Sequence, residues 1–138
     1  MVNAGYSGTP LLKKLGIRAD MKVLLLNAPA DYFDLLDDPL TGQLCRKGET
    51  PDFVHLFAIR QKDYESTLRS LAAFSKKKSA IIVWVSWYKK SAGIPTDVSE
   101  NSIRNFALQN DWVDIKVCAV SEQWSGLKLV VPLAKRTT

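Results

Sequence analysis

Hydrophobic and polar positions along the chain switch repeatedly between two periods. Met21 to Leu26 is a nearly unbroken apolar run, the pattern of a strand covered on both faces. Phe53 to Ile59 alternates, with Phe53, His55 and Phe57 on one side and Val54, Leu56 and Ala58 on the other. Ala80 to Trp87 is the most hydrophobic segment and predicts a third strand. Between the second and third strands, Tyr64, Leu68, Leu71, Ala72 and Ser75 recur at three-to-four spacing, which predicts one long helix from about Lys62 to Lys77. After the third, Asp97 to Glu100 fits an acidic helix start, and Ile103, Phe106 and Ala107 supply an inner helical face.

Proline and glycine punctuate this pattern. Thr9 to Gly16 reads as a short helix, with Thr9 as cap, Pro10 in the first helical position and Gly16 as the left-handed residue past the end. Asn27-Ala28-Pro29 stops the first strand and starts a second short helix through Leu36, with Asp31 and Asp34 near its positive end. Residues 37–51 read as a loop. Asp114 to Ser121 and Leu127 to Leu133 are the last two strands, and the Glu122 to Gly126 connection between them is too short for a crossover helix. Trp124-Ser125-Gly126 then reads as a turn. The expected fold is a single α/β domain over residues 1–138, irregular at 1–8 and 134–138. It is a three-layer sandwich on a mostly parallel five-stranded sheet, with elements in the order (α)βαβαβαββ and an antiparallel hairpin at the end.

Composition narrows the classes available. Hydrophobic residues make up 46% of the 138 and charged residues 24%, the balance of a packed domain. No apolar run approaches the ~20 residues that span a bilayer, and the first residues lack the basic start and apolar stretch of a secretory signal, so a cytoplasmic location is expected. Cys45 and Cys118 have no close cysteine neighbour and read as free thiols. One histidine and no Cys or His pair at ligand spacing leave no metal site to expect.

In open parallel sheets, ligands sit outside the carboxyl ends of the strands. Three loops should converge there, beginning at Asn27, Arg60 and Tyr88, joined by the hairpin tip around Trp124. The loop Tyr88-Lys89-Lys90-Ser91-Ala92-Gly93 could hold an anion beside a helix start, although Thr96 or Asp97 competes for the helix amides. A solvated connection with lysines for solubility is the competing reading. The expected ligand-binding set is Asn27, Arg60, Lys89, Lys90, Ser91 and Trp124, with no catalytic residue and no cofactor. His55 reads as a core histidine, Ser86 as a locally bonded hydroxyl, and the tryptophans as packing residues. Trp87 and Trp124 lie near strand ends, where a ring can also stack on a ligand. Glu122 with Lys89 or Lys90 could form an acid–base pair, though no spacing demands it.

The lead-in from Leu15 to Leu26 resembles that of nucleotide- or methyl-donor-binding folds. Such folds place glycines where backbone approaches the cofactor; here Asn27-Ala28-Pro29 follows, and Pro29 removes an amide. There is no Walker A motif either.

Five segments carry a family resemblance. Gly5-Tyr6-Ser7-Gly8-Thr9-Pro10-Leu11, Asn27-Ala28-Pro29, Trp84-Val85-Ser86-Trp87 with Lys89-Lys90-Ser91, Asp114 to Val120, and Trp124-Ser125-Gly126-Leu127-Lys128 resemble a family of small bacterial proteins catalogued as a domain of unknown function. Tyr88 departs from that pattern, since relatives often carry proline after the second tryptophan. The resemblance implies no catalytic residues. It places Asn27, Lys89, Lys90, Trp124 and Lys128 within motifs.

The leading expectation is a non-enzymatic binding or regulatory domain that takes a small anionic ligand or a protein partner at the strand ends. An enzyme related to methyl-transferring Rossmann-like folds is the alternative. Weak nucleic-acid binding is a third, suggested only by the net charge of +5. The terminal hairpin edge could also pair two copies as a homodimer, against which Pro132 and Lys128 act. No membrane partner is expected.

Overall fold

The computed structural model describes residues 9–136. The Gly5-Tyr6-Ser7-Gly8 part of the first motif, and the whole of the irregular N-terminus expected at 1–8, therefore lie outside the described residues. The order of elements is α1 (Leu11–Leu15), β1 (Val23–Leu26), α2 (Tyr32–Leu36), β2 (Phe53–Ala58), α3 (Gln61–Ser70), α4 (Ala72–Lys77), β3 (Ile82–Tyr88), α5 (Glu100–Gln109), β4 (Val113–Ala119) and β5 (Trp124–Val130). Single 3-10 turns follow at Lys90–Ala92 and Leu133–Lys135.

The five strands among the described residues form one mixed sheet in the order β1-β2-β3-β5-β4. β1, β2 and β3 pair in parallel, and β5 runs antiparallel to both β3 and β4. β5, the last of the described strands, is thus inserted between the third and fourth. Four strands end at the same edge of the sheet, and β5 begins there.

Alternation along β2 divides the core. Val54, Leu56 and Ala58 pack with Tyr64 and Leu68 of α3 and Ile103, Phe106 and Ala107 of α5. Phe53 and Phe57 face the other way and pack with Leu11 and Leu15 of α1 and Tyr32 and Leu36 of α2. Helices therefore cover both faces, which is why every residue of β2 is buried. All four tryptophans are buried too. No helix among the described residues is long and apolar enough to cross a membrane.

Several local expectations are corrected. Pro10, with φ −56 and ψ 140, stands at the boundary of α1, and no side chain caps that end; Gly16 closes the helix at φ 80. Asp31, not Pro29, adjoins α2, because the Tyr32 amide bonds back to the Pro29 carbonyl as a turn. The long helix is two helices meeting at Leu71. There the Leu71 amide is shared between the Thr67 and Leu68 carbonyls, while the Ser70 hydroxyl also draws on Thr67. A hydroxyl competing for a helical carbonyl favours such a tightened turn. Ser99 caps α5, in a reciprocal box with Ser102, in place of the acidic start at Asp97.

The loop at 37–51 is not structureless. Val23 donates to the Gln43 carbonyl at 2.8 Å and accepts from Cys45 at 2.8 Å, so one parallel bridge to Leu44 covers the outer edge of β1. Trp124-Ser125-Gly126 is not a turn either. It opens β5, with Gly126 opposite both Ser86 and Cys118.

Candidate functional site

The strand ends form two depressions separated by one fastened loop. The first, of about 560 Å³, lies between the ends of β1 and β2 and the start of α3; Asn27, Phe57, Arg60, Asp63 and Thr67 line it. The second, of about 390 Å³, lies between the end of β3 and the segment before α5, with Tyr88, Lys89, Lys90, Thr96, Asp97 and Ser99 among its lining. The Pro95–Asp97 segment also borders a shallower hollow beside Arg60 and Lys62.

Local chemistry explains how each side chain is held. Asn27 sits at φ 59, a left-handed conformation that asparagine tolerates better than most residues. Its Nδ2 donates to the Phe57 carbonyl at 3.1 Å, tying the end of β1 to that of β2. Arg60 extends from the boundary of α3 and is exposed. Asp97 accepts the Gln61 amide at 2.8 Å, and the Thr96 hydroxyl donates to the Ile59 carbonyl at 2.5 Å. One of the free amides at the start of α3 is therefore already occupied by a carboxylate from the chain itself. The Lys89 amide donates to the Gln123 carbonyl at 2.8 Å, joining the loop after β3 to the hairpin tip.

The expected site residues are only partly brought together. Asn27 and Arg60 share the first depression, and Lys89 and Lys90 share the second. Ser91 is exposed within the 3-10 turn and lines neither depression. Trp124 is 5% exposed, stacked on Tyr88 at 3.9 Å between centroids and edge-on to Phe57 at 4.8 Å, so its ring is packing and offers no free face. Tyr88 is the last residue of β3, not the first of a loop. Among the described residues no ion pair joins Glu122 to Lys89 or Lys90. Asp63 and Thr67 were missed; their four-residue spacing puts both on one face of α3, and that was the signal available.

Beneath the strand ends lies a buried polar chain. The Tyr32 hydroxyl is 2.8 Å from Nδ1 of His55, and Nε2 of His55 is 2.7 Å from the Ser86 hydroxyl. The His55 ring stacks on Phe57 at 4.3 Å. Burial pushes His55 down to about 3 and raises the Tyr32 phenol, so both stay uncharged at neutral pH. His55 is the core histidine expected, but Ser86 bonds to it across 31 residues, not locally. With both ring nitrogens engaged inside the core, His55 is a structural group. Among the described residues no cluster of His, Cys, Asp and Glu could hold a metal ion.

No protein-family model and no curated protein matches the chain. Solved structures do. A protein described as a member of the NADB-Rossmann superfamily, from Streptococcus agalactiae, superposes with a TM-score of 0.54 at 8% identity over 96% of this chain and 71% of that one. The fold is Rossmann-like. An uncharacterised protein from Listeria monocytogenes serotype 4b gives a TM-score of 0.57 at 12% identity, covering 94% of this chain and 70% of its own. An O-methyltransferase from neocarzinostatin biosynthesis, solved with S-adenosylmethionine and 2-hydroxy-5-methyl naphthoic acid, gives 0.53 at 17% identity, over 80% of this chain and 41% of that one.

Proposed function

We propose that this three-layer α/β domain is a non-enzymatic binding or regulatory module that takes a small anionic ligand at the carboxyl ends of its strands. The observation that carries the reading is a set of cations without counter-charges. Among the described residues no ion pair engages Arg60, Lys89 or Lys90, and each lines a depression at this edge. An unpaired guanidinium over a partly apolar floor suits a carboxylate or phosphate, which it can grip with two parallel hydrogen bonds. Asp63 and Thr67 beside it add an acceptor and a hydroxyl for a second polar group on the same ligand. Membership of the small bacterial family named above is part of this proposal.

Isothermal titration against a panel of anionic metabolites tests it. Binding should weaken about tenfold in Arg60→Ala, the loss of roughly one charge-assisted hydrogen bond. Equal affinity in Arg60→Ala and in the Lys89→Ala/Lys90→Ala double variant would remove the site.

A second reading, a methyl-donor-dependent enzyme, is favoured by the likeness to the O-methyltransferase that holds S-adenosylmethionine. Two features of this chain weigh against it. Pro29 lacks an amide where the first turn would approach a cofactor. Among the described residues, only the single bridge at Leu44 lies outside β1, and none of them forms a full strand there to carry an acidic residue toward a ribose. Saturating S-adenosylmethionine should then leave the melting temperature unchanged. Binding at a hundred times Kd would stabilise the fold by about 2.7 kcal/mol and restore this reading.

A further inference from the structure

Arg60 is the wrong kind of residue for its place. Helix starts favour Ser, Thr, Asp or Asn, whose oxygens accept free amides, and their positive end disfavours a cation. Arg60 stands at the boundary of α3 with extended backbone, and its side chain makes no cap hydrogen bond. The capping oxygen comes instead from Asp97, which accepts the Gln61 amide at 2.8 Å. The stability of α3 therefore gives no reason for a guanidinium here.

Asp63 follows three residues later with the opposite charge. Side chains at that spacing are neighbours on a helix surface, yet among the described residues no ion pair engages either one. A carboxylate in the first turn suits the helix dipole, which accounts for Asp63 alone. It does not account for a guanidinium lining the same depression of about 560 Å³, a volume usual for small-molecule sites. Thr67 lines it further along the same helix face. From the β1 side, Asn27 spends its Nδ2 on the Phe57 carbonyl at 3.1 Å, which leaves its Oδ1 as an acceptor. Phe57 and Ile59 supply apolar lining, and Ile59 is left 38% exposed. One depression thus holds a cation, an anion and apolar surface still in contact with water.

We infer that this first depression takes a small apolar α-amino acid, with its carboxylate on Arg60, its ammonium on Asp63 and its side chain against Phe57 and Ile59. The inference rests on the strand-end reading and names its anionic group as a carboxylate. Two parallel N–H donors of the guanidinium match the two carboxylate oxygens. An ammonium brings three donors, which Asp63, the Asn27 Oδ1 and the Thr67 hydroxyl can accept. Asp63 decides between ligand classes. A phosphate or a simple carboxylate would set its charge against that side chain, whereas a zwitterion offers each charged residue its opposite.

Amide spectra of the nitrogen-15-labelled protein test it, titrated with L-leucine and L-phenylalanine and with isocaproate and hydrocinnamate, which match them but lack the ammonium. Saturable shifts are expected with both amino acids at Asn27, Asp63 and Thr67. Each analogue should bind about tenfold more weakly than its amino acid, roughly the worth of one charge-assisted hydrogen bond. Arg60→Ala should weaken amino acids and analogues by a similar factor, and Asp63→Asn should erase the difference between them. Equal affinity of amino acid and analogue on the parent protein, with both weakened in Arg60→Ala, overturns this inference and leaves the strand-end anion reading standing. The comparison of ligands is made on the parent protein, so it decides even where a variant fails to fold. No saturable shift with either amino acid also overturns the inference, and the broader reading then stands or falls by its own titration of Arg60→Ala.

Discussion

His55 shows how a single residue couples the core to pH. Its folded value of about 3 lies below the ordinary histidine value of 6.5, because burial disfavours the charged ring. Below about pH 6.5 the unfolded chain therefore binds a proton that the folded chain refuses, and stability falls as pH falls. The slope should approach 1.4 kcal/mol per pH unit, about the free energy of one pKa unit. Urea unfolding between about pH 6.5 and pH 4.5 isolates the effect, since Asp52, held below its usual range by the Lys22 amide and Lys78 but opposed by burial, adds its own loss only at lower pH. His55→Gln should flatten the profile in that window; an unchanged slope would show that another group carries it. At Gly126 the constraint is steric. A Cβ there would stand 3.0 Å from Val120 Cγ2 and 3.1 Å from Trp84 Cε3, inside a ring that is itself pinned by its Nε1 hydrogen bond to the Leu15 carbonyl. Gly126→Ala should cost about 1–3 kcal/mol in thermal or urea unfolding. The sequence pattern placed Gly126 in a turn; the close approach of strand to ring is a property of pairing that no local pattern displays.

Among elements, α3 owes the closure of its first turn to residues 36 and 37 positions away from their partners. Asp97 accepts the Gln61 amide, and Thr96 bonds the Ile59 carbonyl just before the helix. Removing such a cap generally costs about 1 kcal/mol. Asp97→Ala should lose about that much in unfolding free energy and should speed hydrogen exchange at Gln61 and Lys62. Equal exchange in both proteins would mean that solvent caps the helix as well as Asp97 does. The inner faces of α3 and α5 were legible because Tyr64, Leu68, Ile103, Phe106 and Ala107 obey helical spacing and are all buried. The break at Leu71 and the true cap at Ser99 were not, because both are settled by competition between hydroxyls and backbone. Candidate-site residues divide in the same way. Asn27, Arg60, Lys89 and Lys90 follow from the strand ends that periodicity locates, whereas the burial of Trp124 depends on Tyr88 and Phe57 arriving from two other strands.

For the whole molecule, the α/β class and two-faced sheet were readable from alternation alone: β2 has large aromatics on one side and aliphatics on the other, and each side meets its own helices. Strand order was not readable, because short connections tell which strands are neighbours in the chain and only packing tells where a pair docks. The outcome here is that β5 supplies a partner to β3 on one side and to β4 on the other. That placement has a consequence for synthesis. While the chain emerges from N- to C-terminus, β1, β2 and β3 can pair as soon as they appear, but β4 has no neighbour in the sheet until β5 has been made. Through that interval the backbone of β3 from Ile82 to Tyr88, including Trp84 and Trp87, presents an open edge of the kind that recruits other chains. Among the described strands, β5 is thus the one whose arrival closes that edge against other copies of the chain.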